Sequence, residues 1–484
     1  MMGATSHPQG ALMSFAREGT PRSRRAVANA KQAPFWLDTD RRPEPAEALV
    51  GSTDTDLLVV GSGFTGLWTA LLAKQQEPRR DVVVVDAHCA ATGATGRNGG
   101  FVAASLTHGL PNGLARWPDE LAAITRMGIE NLDAIAATIA EHQIDCDFER
   151  TGELAVATSP HQVDELRDLA AAAAPFGERL EFLDADAVRN LANSPTYQGG
   201  LYDPHGVALV DPARLAWGLR DVCQTLGVRF FDNTEVTELD RRGNAMVATT
   251  PYGQLNARKV ALATNAYPSL LRRVRQYIVP VYDYVLMSEP LSPEQQASIG
   301  WDGRQGIGDS GNQFHYYRRT ADNRILWGGY DATYYWGSGF GSSYEHSPEA
   351  WARIAEHFFQ TFPQLEGLTF THKWAGAIDT CTRFCAFWGT AHRGMTAYVA
   401  GFTGLGVGAS RFAALTMLDQ LDGRDTERTR LRMVQTKPMP WPPEPIRAAG
   451  IGITRWSLDR ADRNAGQRNV WLRTLDRLGL GFDS

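Results

Sequence analysis

Cysteine is scarce in this chain: five among 484 residues, at Cys89, Cys146, Cys223, Cys381 and Cys385. An odd number with no CxxC pair argues against a disulfide scaffold or a zinc site. Cys381 and Cys385 lie close together, but His372 and His392 nearby complete no zinc spacing. The five therefore read as packing thiols, and no metal is expected. Positive charge is not in excess either. Forty-eight Lys and Arg against 54 Asp and Glu leave a net charge of −6, with no basic stripe away from the termini, so nucleic acid is not an expected partner. Arg24 and Arg25 are not followed by the apolar core of a twin-arginine export signal, and the expected location is the cytoplasm. No internal repeat is found. One apolar run, LLVVGSGFTGLWTALLA (Leu57–Ala73), is nearly long enough for a membrane span. Its three glycines and its change from strand to helix pattern make it a buried βα unit instead, so no membrane span is expected.

What is present is globular: 43 % hydrophobic and 21 % charged residues, in a length that suits two to four domains at about 100–200 residues each. Asp56–Val60 reads as a buried parallel strand. GSGFTG and a helical pattern follow, then a second buried strand, Asp81–Val85, ending at Asp86. Further along, Leu121 to about His142 reads as a helix, Gly152–Thr158 as a strand and Gln162–Ala174 as a helix. Asp211 can cap a helix over Pro212–Leu226, with proline at its first position. Strand patterns return at VRFFDNTEVTEL and again up to Thr264. Val279–Trp336 is aromatic and strand-rich without a βαβ rhythm, and YYRRTADNRILWGG predicts a hairpin turning at Ala321–Asn323. Trp351–Phe362 is helical and stops at Pro363. AYVAGFTGLGVGASRFAALTMLDQL is again strand, glycine turn and helix.

The first glycine turn carries the chemistry. Gly61 permits the tight turn, Gly63 lets backbone approach a pyrophosphate, and Gly66 lets helix and strand pack closely. The helix start, with Phe64 and Thr65, turns unpaired N–H groups toward the phosphate. Asp86 stands at the end of the next strand, where its carboxylate accepts from an adenosine ribose, with Ala87 beside it. GxGxxG alone is weak; strand, turn, helix, strand and acid in this order point to dinucleotide binding.

Which dinucleotide is settled by ATGATGRNGGF (Ala91–Phe101). This segment resembles one found in the D-amino-acid-oxidase-like flavoproteins, whose amine-oxidising branch includes sarcosine oxidase, glycine oxidase and gamma-glutamylputrescine oxidase. The resemblance implies FAD, with Thr95, Gly96, Arg97, Asn98, Gly99 and Gly100 lining the pyrophosphate and isoalloxazine. NTEVTEL resembles a family strand whose Val236 contacts adenine through its backbone, and ALATNAY places Thr264 near the cofactor. GFTGLGVGAS resembles the glycine turn beside the flavin pyrimidine ring, at Gly404, Leu405 and Gly406. PFWLD (Pro34–Asp38) is similar to a lead-in of bacterial members. The likeness spans about Asp56 to Gly423.

Two departures bear on function. The C-terminal glycine turn contains no cysteine, so FAD is expected to be non-covalent. The α-amino-acid oxidases fork a substrate carboxylate with an arginine, but Trp374–Gly389 has none before Asp379, which favours an amine without an α-carboxylate. On the strand His315–Arg318, alternation sends His315 and Tyr317 to one face and Tyr316 and Arg318 to the other. Tyr317 and His315 are the candidates for a cage around an alkylammonium, with Trp374 and Asp379 as further candidate catalytic residues.

The expected architecture is α/β: an FAD-binding, Rossmann-like doubly wound domain with an inserted antiparallel-sheet substrate domain. The expected division is a tail over 1–50, the FAD domain over 51–110, 206–270 and 373–423, the substrate domain over 111–205 and 271–372, and a tail over 424–484. Met1 to about Gln32 is expected to be disordered, and the C-terminal tail to be extended but packed back, because Trp441, Trp456 and Trp471 are costly to expose. The expected reaction is oxidation of a primary or secondary amine to an imine, with oxygen as acceptor. A flavin dehydrogenase using another acceptor, or an inactive FAD-binding subunit, stays open.

Overall fold

A computed structural model describes residues 14–480. Two sheets organise them. The first is built on parallel strands in the order Arg229–Phe231, Val82–Val85, Gly51–Val60, Gly253–Leu262 and Thr396–Ala400. Phe387–Ala391 adds antiparallel to the last, and the hairpin of Glu238–Arg242 and Ala245–Thr250 joins the near end of Gly253–Leu262. The short apolar runs are strands because both their faces are covered. Leu57, Val59, Val82 and Val84 pack on helices Phe64–Gln76, Pro212–Thr225 and Gly406–Asp422. Leu58, Val60, Val83 and Val85 pack on Val236, Met246 and Leu255. Asp211 caps the second of these helices as expected, accepting from Ala213 N and Arg214 N at 3.0 Å each.

The second sheet runs Lys31–Gln32, Phe370–Thr380, Val279–Ser288, Ile325–Gly329, His315–Arg319, Gly306–Asp309, Glu153–Ala157, Gly199–Asp203 and Glu181–Asp184, with Thr333–Tyr334 also on Val279–Ser288. It is antiparallel except at two joints, Lys31–Gln32 with Phe370–Thr380 and Gly306–Asp309 with Glu153–Ala157. The predicted hairpin is present, closed by Thr320 N on Arg324 O at 2.9 Å. One face of this sheet, through Tyr284, Leu286, Tyr317, Trp327 and Ala375, packs on helix Pro348–Thr361. The other, through Val285, Met287, Leu326 and Trp374, merges with the core of the first sheet. This inner face positions the site.

Several expectations need correction. Residues 14–32, read as disordered, contain helix Pro21–Ala28, started by a Thr20–Ser23 capping box and a proline. It lies on helix Pro348–Thr361 through buried Ala26 and Val27 and an Arg22–Glu356 ion pair of 2.5 Å. The rest of that prediction, residues 1–13, lies outside the described residues. The C-terminal segment packs back but is helical rather than extended, over Ile446–Asp462 and Val470–Arg477, and Trp456 stays 57 % exposed. Helix Leu121–Glu141, assigned to the substrate domain, buries Ile124, Leu132 and Ile135 with Leu57 and Leu67 of the first sheet's core. Strand Phe370–Thr380 stays in the second sheet beyond the boundary drawn at 372.

Candidate active site

Strand Gly51–Val60 delivers the chain to Gly61 at φ +105°, where a Cβ would come within 2.6 Å of Ala263 O. Helix Phe64–Gln76 then starts from Gly63, which has no side chain of its own to cap it. The first-turn N–H groups of Thr65 and Gly66 have no partner within the helix, and the positive dipole end faces the same way. A Cβ on Gly66 would run into Gly61 O, and one on Gly63 would meet Thr95 Oγ1 at 2.9 Å. This glycine cradle, with the Thr65 and Gly66 N–H groups open above it, fits a pyrophosphate. The Thr95 hydroxyl accepts from Phe64 N at 3.1 Å, which brings the second glycine-rich segment onto the first.

Asp86 closes the strand end onto the turn. Its carboxylate accepts from Ser62 N at 2.7 Å, Ser62 Oγ at 2.8 Å and His88 N at 2.8 Å. Half-buried Ala87 lies between. Thr234 N bonds Asp86 O and Asn233 N bonds His88 O, both at 2.7 Å, so the 86–88 and 231–234 segments run together. Val236 follows in an unpaired stretch rather than on a strand, its side chain buried with Val60 and Val85. Thr264, half-buried beyond strand Gly253–Leu262, accepts from Tyr267 N at 3.0 Å.

The RNGG segment is held largely by its own side chains. Asn98 Nδ2 donates to Ala94 O at 3.0 Å and Thr95 O at 2.7 Å, and its Oδ1 accepts from Gly100 N at 2.8 Å. Arg97 donates to Thr92 O and Ala375 O at 3.1 Å each and pairs with Glu345 at 2.6 Å. The indoles of Trp374 and Trp36 donate to Arg97 O at 2.8 Å and Asn98 O at 2.9 Å. The lead-in PFWLD is therefore part of this scaffold. Three of the segment's glycines have a reason within the protein itself: a Cβ would reach Leu37 from Gly96, the Tyr316 ring from Gly99, and Arg318 from Gly100, at 2.6, 2.7 and 2.6 Å.

At the third glycine turn, helix Gly406–Asp422 starts after Leu405 with no side-chain cap, and Gly404 has φ +95° and is exposed. Asp379, proposed from the sequence as a catalytic residue, lies beneath this turn. It is 1 % exposed, accepts from Gly401 N at 2.6 Å, and is bonded by the backbone of Phe402 and Thr403. Burial pushes its pKa up to about 7 against those bonds. Its place assigns it to holding the turn. His108, unnoticed in the sequence, bonds the Thr403 backbone from another side, and burial lowers its pKa.

The remaining catalytic candidates are separated by the sheet. The alternation along His315–Arg319 holds, but His315 and Tyr317 lie on the outer face. Tyr317 is buried, its hydroxyl 2.7 Å from Tyr197 OH and its ring stacked on Trp327 at 4.4 Å. His315 Nε2 lies 2.8 Å from His357 Nδ1, and their outer nitrogens face Gly328 O at 3.1 Å and Ala16 O at 2.6 Å. Four ring nitrogens between two carbonyls call for three protons, whereas two neutral rings carry two. Burial pushes His315 well down and His357 to about 4, which keeps both neutral. The pair is a buried strut beside Phe15, away from the glycine turns. Trp374 faces inward, but its indole is committed to Arg97 O.

The residues that do face the RNGG segment are Tyr316, Arg318, Gly376 and Asp283. Tyr316 OH donates to Asp283 Oδ2 at 2.5 Å, and the ring sits between Gly99 and Gly328. Arg318 donates to Val210 O at 2.6 Å under the Trp36 ring. Gly376 lies across from Asp283 and beside Arg97. A signal for Asp283 existed: it is the one acid in the apolar strand VPVYDYVLMS.

This arrangement, a glycine cradle and acid on one sheet with a second sheet facing it, is that of a dinucleotide-dependent oxidoreductase. A family model described as FAD dependent oxidoreductase matches residues 56–420, and the chain belongs to that family. Gamma-glutamylputrescine oxidoreductase of Escherichia coli is 32 % identical over 404 residues, 81 % of this chain and 89 % of that one. Sarcosine oxidase subunit beta of Rhodobacter capsulatus is 22 % identical over 71 % of this chain and 78 % of its own. Glycine oxidase from Geobacillus kaustophilus shares the fold, at TM-score 0.64 and 20 % identity over 80 % of this chain and 99 % of that one. The protein is an FAD-dependent enzyme of α/β architecture, as its glycine-rich segments indicate. Among the described residues no helix is long and apolar enough to cross a membrane.

Proposed function

We propose that this chain oxidises the C–N bond of a primary or secondary amine to an imine, with FAD held non-covalently and oxygen as acceptor. The observation that carries the substrate class is the charge on the inner face. Asp283 stands there half-buried as an acid. Arg97 is committed to Glu345 and two carbonyls, and Arg318 is buried, donating from Nη1 to Val210 O and Gly100 O. Arg97 is thus already paired, and burial closes Arg318 off from a substrate carboxylate. The relatives' names divide on this point, since glycine and sarcosine carry an α-carboxylate and gamma-glutamylputrescine has an amine remote from one; the acid favours the latter kind.

Gly61–Gly66, Asp86 with Ala87, Thr95–Gly100, the backbone at Val236, Thr264 and the Gly404–Gly406 turn would hold FAD, which supplies the two-electron acceptor that side chains lack. The uncapped start of helix Gly406–Asp422 offers N–H donors and a positive dipole end to negative charge at that edge. Asp379 keeps those donors in place, and the second sheet covers the substrate side.

An amine panel scored by anaerobic flavin bleaching tests the reading. Alkylamines should bleach the flavin and air should restore it. A higher kcat/KM for glycine or D-alanine than for every alkylamine would overturn the substrate class, and slow restoration in air would point to a dehydrogenase. Acid precipitation should release the flavin, since the Gly404–Gly406 turn holds no cysteine and Cys381 and Cys385 are buried.

A further inference from the structure

We propose that Asp283, held by Tyr316, is the group that binds the substrate as an ammonium ion and takes its proton, presenting the amine in its neutral form. This rests on the amine reading above and adds an acid–base residue to it.

Asp283 lies mid-strand in Val279–Ser288, on the face turned to the RNGG segment. Its neighbours on that face are small: Gly376 lies across from it, and Gly328, covered by the Tyr316 ring, sits between Tyr316 and Val285 in the adjoining strands. The carboxylate is bonded by neutral donors only. Gly329 N donates to Oδ1 at 3.1 Å, Tyr316 OH to Oδ2 at 2.5 Å, and the Tyr284 backbone adds a third bond. Among the described residues no arginine or lysine forms an ion pair with it. Asp331, the like charge that reaches it, is satisfied by Arg353 and Arg455. Arg97, beside Gly376, is neutralised by Glu345. A half-buried carboxylate with hydrogen bonds but no counter-ion fits a cation that arrives from outside.

An amine reaches the enzyme at neutral pH as R–CH2–NH3⁺, and only its neutral form has the lone pair that lets the carbon give up hydride. In the proposed step one N–H bond breaks, the proton forms an O–H bond on Asp283, and the electron pair stays on nitrogen. Ammonium and carboxylate become amine and carboxylic acid, with no net change of charge in the site. Burial pushes the Asp283 pKa up to about 6 against its bonds, so it is ionised at neutral pH yet more basic than an exposed acid. Burial pushes the Tyr316 hydroxyl well up, so Tyr316 stays a donor and acts as the positioning residue.

The test uses the FAD-loaded protein and tert-butylammonium, which has no α-hydrogen and cannot be oxidised, read by perturbation of the flavin absorbance. Wild-type binding should weaken as pH falls from about 8 to about 5, as Asp283 takes a proton. D283N should bind about tenfold or more weakly at neutral pH, because one partner of the charge pair is gone. With a reactive amine, flavin reduction by D283N should lose its acid limb and recover only where the free amine itself is abundant; Y316F should show a smaller shift of the same limb. Equal binding by D283N and wild type, with the same pH profile of reduction, overturns the assignment while leaving amine oxidation intact. Failure of every amine to bleach wild type overturns the amine reading instead. Should D283N not retain FAD, the wild-type titration decides: binding that does not weaken toward about pH 5 overturns the proposal.

Discussion

The two faces of the second sheet are made from the same strands and have opposite chemistry. On the outer face Tyr317, Trp327, Tyr284 and His315 interlock with helix Pro348–Thr361, and each ring is covered by another. On the inner face Gly328 and Gly376 stand where rings would be expected, and Tyr316 and Asp283 remain partly open. A run such as HYYRR serves both faces at once. Aromatic content thus marks the face that is packed, whereas the face that meets a ligand is marked by glycine and an unpaired acid.

The largest effect should come from the outer face. Trp327→Ala removes a fully buried ring packed against Tyr317, His315 and Phe358, and should cost about 3–5 kcal/mol of stability. Chemical denaturation would measure it. The folded fraction should keep a wild-type flavin spectrum; a shifted spectrum would mean that the outer face reaches the site.

Next is pH. The folded His357 pKa is about 4, below the unfolded value of about 6.5. Between these values the unfolded chain holds more protons, so this residue's contribution to stability is lost as pH falls, by about 1.4 kcal/mol per pH unit for one proton. Buried acids with raised pKa values, Asp309 and Asp379, work in the opposite direction, so the useful quantity is the difference between wild type and His357→Gln. Urea midpoints from neutral to mildly acidic pH should fall more steeply in wild type, and parallel slopes would remove the buried histidine pair from the account.

The smallest change separates the faces most sharply. Tyr317→Phe deletes a hydroxyl that meets Tyr197 OH at 2.7 Å, and should cost about 1 kcal/mol while leaving flavin reduction unchanged. Tyr316→Phe deletes the neighbouring hydroxyl, on Asp283, and should alter the pH profile of reduction. If Tyr317→Phe slows reduction and Tyr316→Phe does not, the assignment of the faces is reversed.

The sequence by itself determined the elements and the cofactor class. Gly61, Gly63 and Gly66 between a valine-rich strand and a helix, with Asp86 at the next strand end, carry that information locally, because turn geometry and strand burial are short-range. Asp211, Pro212 and the hairpin at Ala321–Asn323 are legible for the same reason. The alternation of His315 to Arg318 was also local and came out as expected. Only the tertiary structure decided which way that alternation faces, because a strand's two sides are equivalent until helix Pro348–Thr361 covers one of them. It likewise turned the N-terminal segment from a tail into a support, since Trp36 has no partner until Asn98 is folded beside it. It placed Asp379 beneath the third glycine turn and Asp283 opposite the RNGG segment, pairings that join residues far apart in the chain and that no local pattern encodes.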